Sequence, residues 1–271
     1  MQSNPMLYNG FWLSPNLRIG AWSTQTEMPT QEQQINANNI KSFFEIENWT
    51  LEAICGMLGN MQAESTLNPA LIQETNRWRL PNSGTDLDTL PNTVMQNFYR
   101  EYYGVTSRAF GVGLVQWDGY TQVDPTTRQQ KLVAYCIRNQ YNWYDGWAQC
   151  YRIRGEWEKD SQYHFFKPTT VNGVTYTFAN YVTSTATPET LAQAWQQGYE
   201  RNAGGLGFRG TNARSWYNWF TSPAAPDPVT PMLPEPESPY PDPDPTEIDP
   251  ALLMILITQR KKKVARICRE I

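Results

Sequence analysis

A chain of 271 residues has room for one sizeable hydrophobic core or two small ones. Its formal charge of -4 argues against a general nucleic-acid binder, which needs a basic face for phosphates. Four cysteines, Cys55, Cys136, Cys150 and Cys268, stand far apart with no CxxC spacing, and His164 is the one histidine. A zinc knuckle, a redox motif and a multi-histidine zinc peptidase are therefore not expected, nor is any cofactor, and buried free thiols are. A Cys136–Cys150 pair would matter only in an oxidising setting.

In chain order, Met1 to Thr30 lacks both a basic start and an apolar run of roughly 7 to 15 residues, so no secretory signal is expected. Residues 1–29 read as an N-terminal extension. Helix-like spacing then runs through residues 30–46 (around Ile40, Phe43 and Phe44), 50–64, 92–103, 127–144, 145–158, 188–201 and 211–220. Thr75 to Leu90, rich in Asn, Gly, Asp and Pro, reads as a loop or short irregular sheet that could wall a cleft. Val171-Asn172-Gly173-Val174 predicts a hairpin closed by a two-residue type I′ turn. His164, just ahead of it, reads as a loop residue. Up to residue 222 the chain therefore reads as mainly helical, interrupted by one hairpin.

Beyond Ser222 the composition changes. No Lys or Arg occurs before Arg260, and Pro recurs through Pro-Glu-Pro-Glu and Pro-Asp-Pro-Asp-Pro. Residues 223–250 read as an extended polyproline linker rising about 3 Å per residue, incapable of burying a core. Residues 251–271 join the apolar run Ala251 to Ile257 to Arg260, Lys261, Lys262, Lys263, Arg266 and Arg269. That run falls short of the ~20 residues a membrane span requires; the segment suits docking, onto a protein partner first or a membrane surface, with a solvated tail as the alternative.

Three clusters carry chemistry. In the first, Leu51, Ile54, Met57, Leu58 and Met61 recur at steps of three and four behind a possible Asn48 or Thr50 cap, and Glu64 is the next member of the stripe. A carboxyl on the packed face, at the C-terminal end of a helix dipole, is expected to have a raised pKa, as a general acid requires. A last-turn glutamate reaching solvent would share this spacing. In the second, Gly111-Val112-Gly113-Leu114-Val115-Gln116-Trp117, the glycines permit close approach of backbone to a ligand. Gln116 offers an amide to a sugar hydroxyl or N-acetyl group, and Trp117 a stacking face; a tight turn with a buried Gln has the same pattern. The third, Tyr199-Glu200-Arg201-Asn202, ends a predicted helix, where Glu200 and Arg201 would ordinarily be a solvated ion pair. Aromatic residues make up 13% of the chain, with 11 Trp and 15 Tyr, a content that suits sugar clefts and packed cores equally.

With these clusters together and in order, the chain resembles the phage tail lysozyme family, distant kin of goose-type lysozymes and lytic transglycosylases. The resemblance rests on Ala53 to Pro69, Gly113-Leu114-Val115-Gln116-Trp117 and Tyr199-Glu200-Arg201, with Gln34 to Ile40 as a lead-in helix and Arg128 and Leu132 following the Gln-Trp pair. It covers roughly residues 30–220, and residues 30–222 are expected to form the catalytic domain. Tyr120 to Thr127 is an insertion between Trp117 and Arg128 that departs from the family pattern.

The resemblance implies a lysozyme-like α+β fold, mainly helical with a small hairpin, with Glu64 as the acid that protonates the bond between N-acetylmuramic acid and N-acetylglucosamine, and Gln116, Trp117, Tyr199 and Glu200 as substrate-binding residues. Asp86, Asp88 and Asp118 are candidates for a second carboxylate, which stands about 6.5–9.5 Å from the acid in inverting enzymes and about 5–5.5 Å in retaining ones. The substrate's own N-acetyl or 6-hydroxyl group could replace it. The expected setting is a phage tail, with peptidoglycan strands as substrate and tail proteins bound through the C-terminal segment. A non-catalytic tail module that grips glycan with the same fold is the alternative.

Overall fold

Asn9 and Gly10, both at positive φ (48° and 82°), turn strand β1 (Met6–Tyr8) back onto β2 (Phe11–Leu13). This hairpin docks on α1 (Gln31–Ile46), a helix opened by a capping box between Thr30 and Gln33. Asn36 of α1 accepts from the Trp12 N–H at 2.7 Å and donates to the carbonyls of Trp12 and Leu67, each at 2.8 Å. Phe11 is buried edge-on against Trp147. Part of the expected N-terminal extension is thus packed on the helical domain.

The computed structural model describes residues 6–13, 30–72, 92, 111–117, 128–158, 166–201 and 206–222, all within the unit Met1–Pro231. The predicted loop 75–90, nearly all of the predicted helix 92–103, the insertion 120–127, His164 and residues 223–271 lie outside them.

The central element is α2 (Leu51–Ser65), capped by Thr50, whose hydroxyl accepts from the N–H of Ala53. Its apolar residues Ala53, Ile54, Met57, Leu58 and Met61 are fully buried. Helix α3 (Arg128–Arg138) stops six residues short of its predicted end, because Gln140 turns into the left-handed region (φ 60°). Asp145 restarts the chain as α4 (Gly146–Glu158), accepting from the N–H groups of Trp147 and Ala148. Burial raises the Asp145 carboxyl above its ordinary pKa, against the lowering by hydrogen bonds from Asn9 and those two amides.

Strands β3 (Thr169–Val171) and β4 (Val174–Tyr176) form the predicted hairpin. Asn172 and Gly173 both have positive φ (51° and 79°), as a type I′ turn requires. A short helix not expected from the sequence, α5 (Phe178–Val182), follows on a Thr177–Asn180 capping box. Next come α6 (Pro188–Trp195), a π-helical turn (Gln196–Glu200) and α7 (Phe208–Thr221). Helices α6 and α7 pack on α2 and on each other.

Two glycines set how closely they pack. At Gly56 a Cβ would lie 2.8 Å from that of Leu191 on α6, and at Gly59 one would lie 2.7 Å from the backbone N of Ala213 on α7. Asn60 adds a hydrogen bond to the Ala192 carbonyl at 3.0 Å. Around Trp195 the rings of Trp49, Phe166, Tyr181 and Tyr199 close the core. The fold is α+β and lysozyme-like, mainly helical with small two-stranded sheets. Cys55, Cys136 and Cys150 are buried free thiols; burial pushes all three well above the ordinary thiol range.

Candidate functional site

Helix α2 ends in two residues of left-handed conformation, Thr66 and Leu67 (φ 54° and 64°). The Ser65 hydroxyl donates to the carbonyl of Leu114 at 2.8 Å, tying this end of α2 to the turn at residues 111–117. That turn also joins the chain after α2 through bridges between Ile72, Val112 and Trp117 and a 2.8 Å bond from Gly113 N–H to Leu71 O. Buried Gln149 of α4 locks the two segments together. Its amide oxygen accepts from Leu114 N–H at 2.8 Å, and its nitrogen donates to the carbonyls of Pro69 (2.8 Å) and Trp143 (2.7 Å). Gly113 makes room for it: with φ 74°, a Cβ there would lie 2.6 Å from the Gln149 oxygen.

Glu64 stands one residue before the end of α2. The packed face expected for its side chain is only part of its surroundings, since the side chain is 27% exposed. Arg209, in the first turn of α7, hydrogen-bonds to Glu64 Oε1 through Nη2 and to Glu200 Oε2 through Nε, the latter at 3.3 Å. The side chains of Arg209 and Glu200 are almost fully buried, at 5% and 7% exposure. One guanidinium therefore joins two carboxyls from different elements, and of the two only Glu64 reaches solvent appreciably.

The solvated Glu200–Arg201 pair expected from the sequence does not form; Glu200 turns inward to Arg209 while Arg201 is exposed. Both Tyr199 and Glu200 lie on the π-helical turn, and Arg201 leaves it in left-handed conformation (φ 57°). Burial raises the Glu200 carboxyl to about 8, and Glu64 pushes it the same way, against the opposing charges of Arg209 and Arg128. Its Oε1 is buried without a hydrogen-bond partner among the described residues.

The other predicted binding residues lie deeper than expected. Gln116, at φ 48°, uses its amide N–H groups on the carbonyls of Gly113 (3.0 Å) and Leu71 (3.3 Å), closing its own turn. The stacking face expected of Trp117 is not offered, because the ring is fully buried. Tyr199 is buried, stacked on Trp195 with ring centroids 4.2 Å apart. The Arg128 guanidinium lies 4.4 Å from the Tyr199 ring and donates to its carbonyl at 3.4 Å. Gln116 and Trp117 thus close the turn that Ser65 ties to the end of α2, and Tyr199 packs in the core. Asp86, Asp88 and Asp118 lie outside the described residues.

Arg209 and Gln149 were missed in the sequence. Arg209 sits in an unremarkable Gly-Phe-Arg-Gly stretch, and its only signal is a glycine on α2, Gly59, whose packing against α7 brings the two helices together. Among the described residues no group of three or more His, Cys, Asp or Glu could hold a metal ion, and no helix is long and apolar enough to cross a membrane.

Residues 35–220 match the family model for phage tail lysozyme. Morphogenesis protein 1 of Bacillus phage B103 is 29% identical over 201 residues, which is 74% of this chain and 43% of that protein. The chain thus spans less than half the length of this relative. With the family match running from α1 to the last turn of α7 and taking in Glu64, Glu200 and Arg209, the chain belongs to the phage tail lysozyme family.

Proposed function

We propose that the chain is a peptidoglycan glycosidase of the muramidase type, carried on a phage tail to open the host wall locally during entry, with Glu64 as its general acid. The supporting observation is the pairing of partial exposure with a fixed cation: Glu64 reaches solvent, where a glycan can meet it, and Arg209 holds its other face. In the reaction Glu64 gives its proton to the glycosidic oxygen and the bond to the anomeric carbon breaks as positive charge builds on the sugar ring. The carboxylate left behind is stabilised by the Arg209 guanidinium, already in place and shielded from water.

The oxocarbenium-like centre is then resolved by water or by the substrate's own N-acetyl or 6-hydroxyl group. Asp86, Asp88 and Asp118 remain the candidates for a second carboxylate. Residues 223–271 serve as linker and attachment point to tail proteins. The shared family and the phage relative support the setting.

The test is mass spectrometry of fragments released from purified peptidoglycan by the full chain, with Glu64→Gln beside it. Soluble fragments ending in reducing N-acetylmuramic acid, made only with Glu64 present, support a muramidase; an anhydro end would make it a lytic transglycosylase. No release by a well-folded wild-type chain across several wall types would overturn the enzyme reading in favour of a glycan-gripping tail module.

A further inference from the structure

We propose that Arg209, gripped from behind by Glu200, is a positioning residue that fixes the Glu64 carboxyl at the edge of the site. This rests on the reading of Glu64 as the acid. Three features of the geometry carry it. Arg209 is almost fully buried yet ends on the one carboxyl of the pair that faces solvent, so its charge is aimed outward from the core. Its Nε is held by a carboxyl that is itself buried and offers substrate no accessible surface. The grip joins two backbone features, the π-helical turn that ends in Glu200 and Gly59, where the first turn of α7 meets α2.

A long, flexible arginine left to itself would swing among rotamers, whereas one tied at Nε presents Nη2 in a single direction. Sharing also tempers the cation. With part of its hydrogen-bonding turned to Glu200, Arg209 orients Glu64 without committing its whole charge to the ionised form, which a general acid must leave in order to donate.

The charge state of Glu200 follows from its neighbours: Glu64 from α2, Arg209 from α7, Arg128 from α3 and the Tyr181 hydroxyl from α5. Burial favours the uncharged form of Glu200, against the charges of Arg209 and Arg128, and its Oε2 accepts from Arg209 Nε in either charge state. Glutamine at 200 reproduces that oxygen; alanine removes it.

The experiment compares full-length Arg209→Gln, Glu200→Ala and Glu200→Gln with wild type and Glu64→Gln. Fragment release from purified walls and wall affinity are measured for each, with melting temperature as a check of folding. Arg209→Gln and Glu200→Ala are expected to lower turnover by roughly 10- to 100-fold with wall affinity retained, a scale typical of a slightly misplaced catalytic group. Glu200→Gln restores much of that loss at pH 7. Wild-type turnover in folded Arg209→Gln, or equal losses in Glu200→Ala and Glu200→Gln, would overturn the proposal.

A second measurement does not depend on activity. In protein labelled with carbon-13 at glutamate carboxyls, the Glu64 resonance, assigned by its loss in Glu64→Gln, is expected to change its titration in both Arg209→Gln and Glu200→Ala. An unchanged Glu64 titration in both would remove the grip. Absent fragment release together with a changed titration would instead overturn the enzyme reading alone.

Discussion

The Cα of Gly59 on α2 faces the backbone carbonyl oxygen of Arg209 on α7, with no room for a methyl group between them. This contact converts a packing requirement into a site, because the turn of α7 that it admits carries the guanidinium that meets Glu64 five residues along α2. Gly59→Ala is therefore expected to force α7 outward, costing about 1–3 kcal/mol or more from overpacking against backbone. Activity should fall further than stability explains, because Arg209 moves with the helix. The check is denaturant unfolding beside fragment release at a temperature where the variant stays folded; full activity in a folded Gly59→Ala chain would detach the glycine from the site.

Glu200 makes stability depend on pH in a defined direction. Its carboxyl holds its proton up to about 8 in the fold but only to about 4.5 ordinarily, so between these values the folded protein carries more protons than the unfolded chain. Stability from this group is complete below about 4.5, falls as pH rises toward 8 and levels off beyond. Glu200→Gln has nothing to ionise and should lack that fall, gaining on wild type by a few kcal/mol at pH 8–9. Melting curves of the two proteins from pH 5 to 9 decide it: separation that widens with pH is expected, and parallel curves would mean that Glu200 is ordinarily ionised.

Buried Gln149 joins three segments through its amide. Gln149→Leu keeps the volume but leaves Leu114 N–H and the carbonyls of Pro69 and Trp143 without that partner. Each unsatisfied buried group costs about 1–3 kcal/mol, so a loss of about 3 kcal/mol overall is a conservative expectation. Because the same amide ties the turn at 111–117 to the chain after α2, amide hydrogen exchange at Leu114 should accelerate more than exchange in the middle of α2. Uniform acceleration would show a global effect and no local lock.

Elements with strong local signals were legible in the sequence. The α2 stripe, the Thr50 cap and the Asn172-Gly173 turn are each decided within a few residues, so spacing and turn chemistry were enough. Glu64 was legible as a carboxyl at a helix end because periodicity fixes the face. Its partner was not, since Arg209 lies 145 positions away and is brought close by helix packing that no local pattern encodes. Trp117 and Gln116 misled for a related reason: a Gly-x-Gly turn with an amide and a ring looks the same whether those groups face a ligand or the core. Glu200 beside Arg201 has the pattern of a solvated pair at a helix end, and its inward contact with Arg209, nine positions on, is made by a chain turn that no local pattern encodes.

The N-terminal hairpin of β1 and β2 packs against both α1 and α4. Phe11 is fully buried and its ring sits where any side chain at Gly146 would go, so the hairpin and the start of α4 are fitted to each other. Trp147 Nε1–H donates to Asn9 O at 2.8 Å, and Asn9 in turn donates to Asp145 Oδ2 at 2.6 Å, beside the amides that Asp145 caps. Phe11→Ala leaves a cavity between β2, α1 and α4 and is expected to cost about 3–5 kcal/mol. Asn9→Ala removes a hydrogen bond from Asp145, whose carboxyl is already raised by burial, and should raise it further. The effect on the site is indirect, through α4 and Gln149, so Phe11→Ala should lower fragment release chiefly by lowering the folded fraction. Measuring release per folded molecule separates the two: a specific activity near wild type is expected, and a large drop in that specific activity would mean that the hairpin reaches the site by a route other than stability.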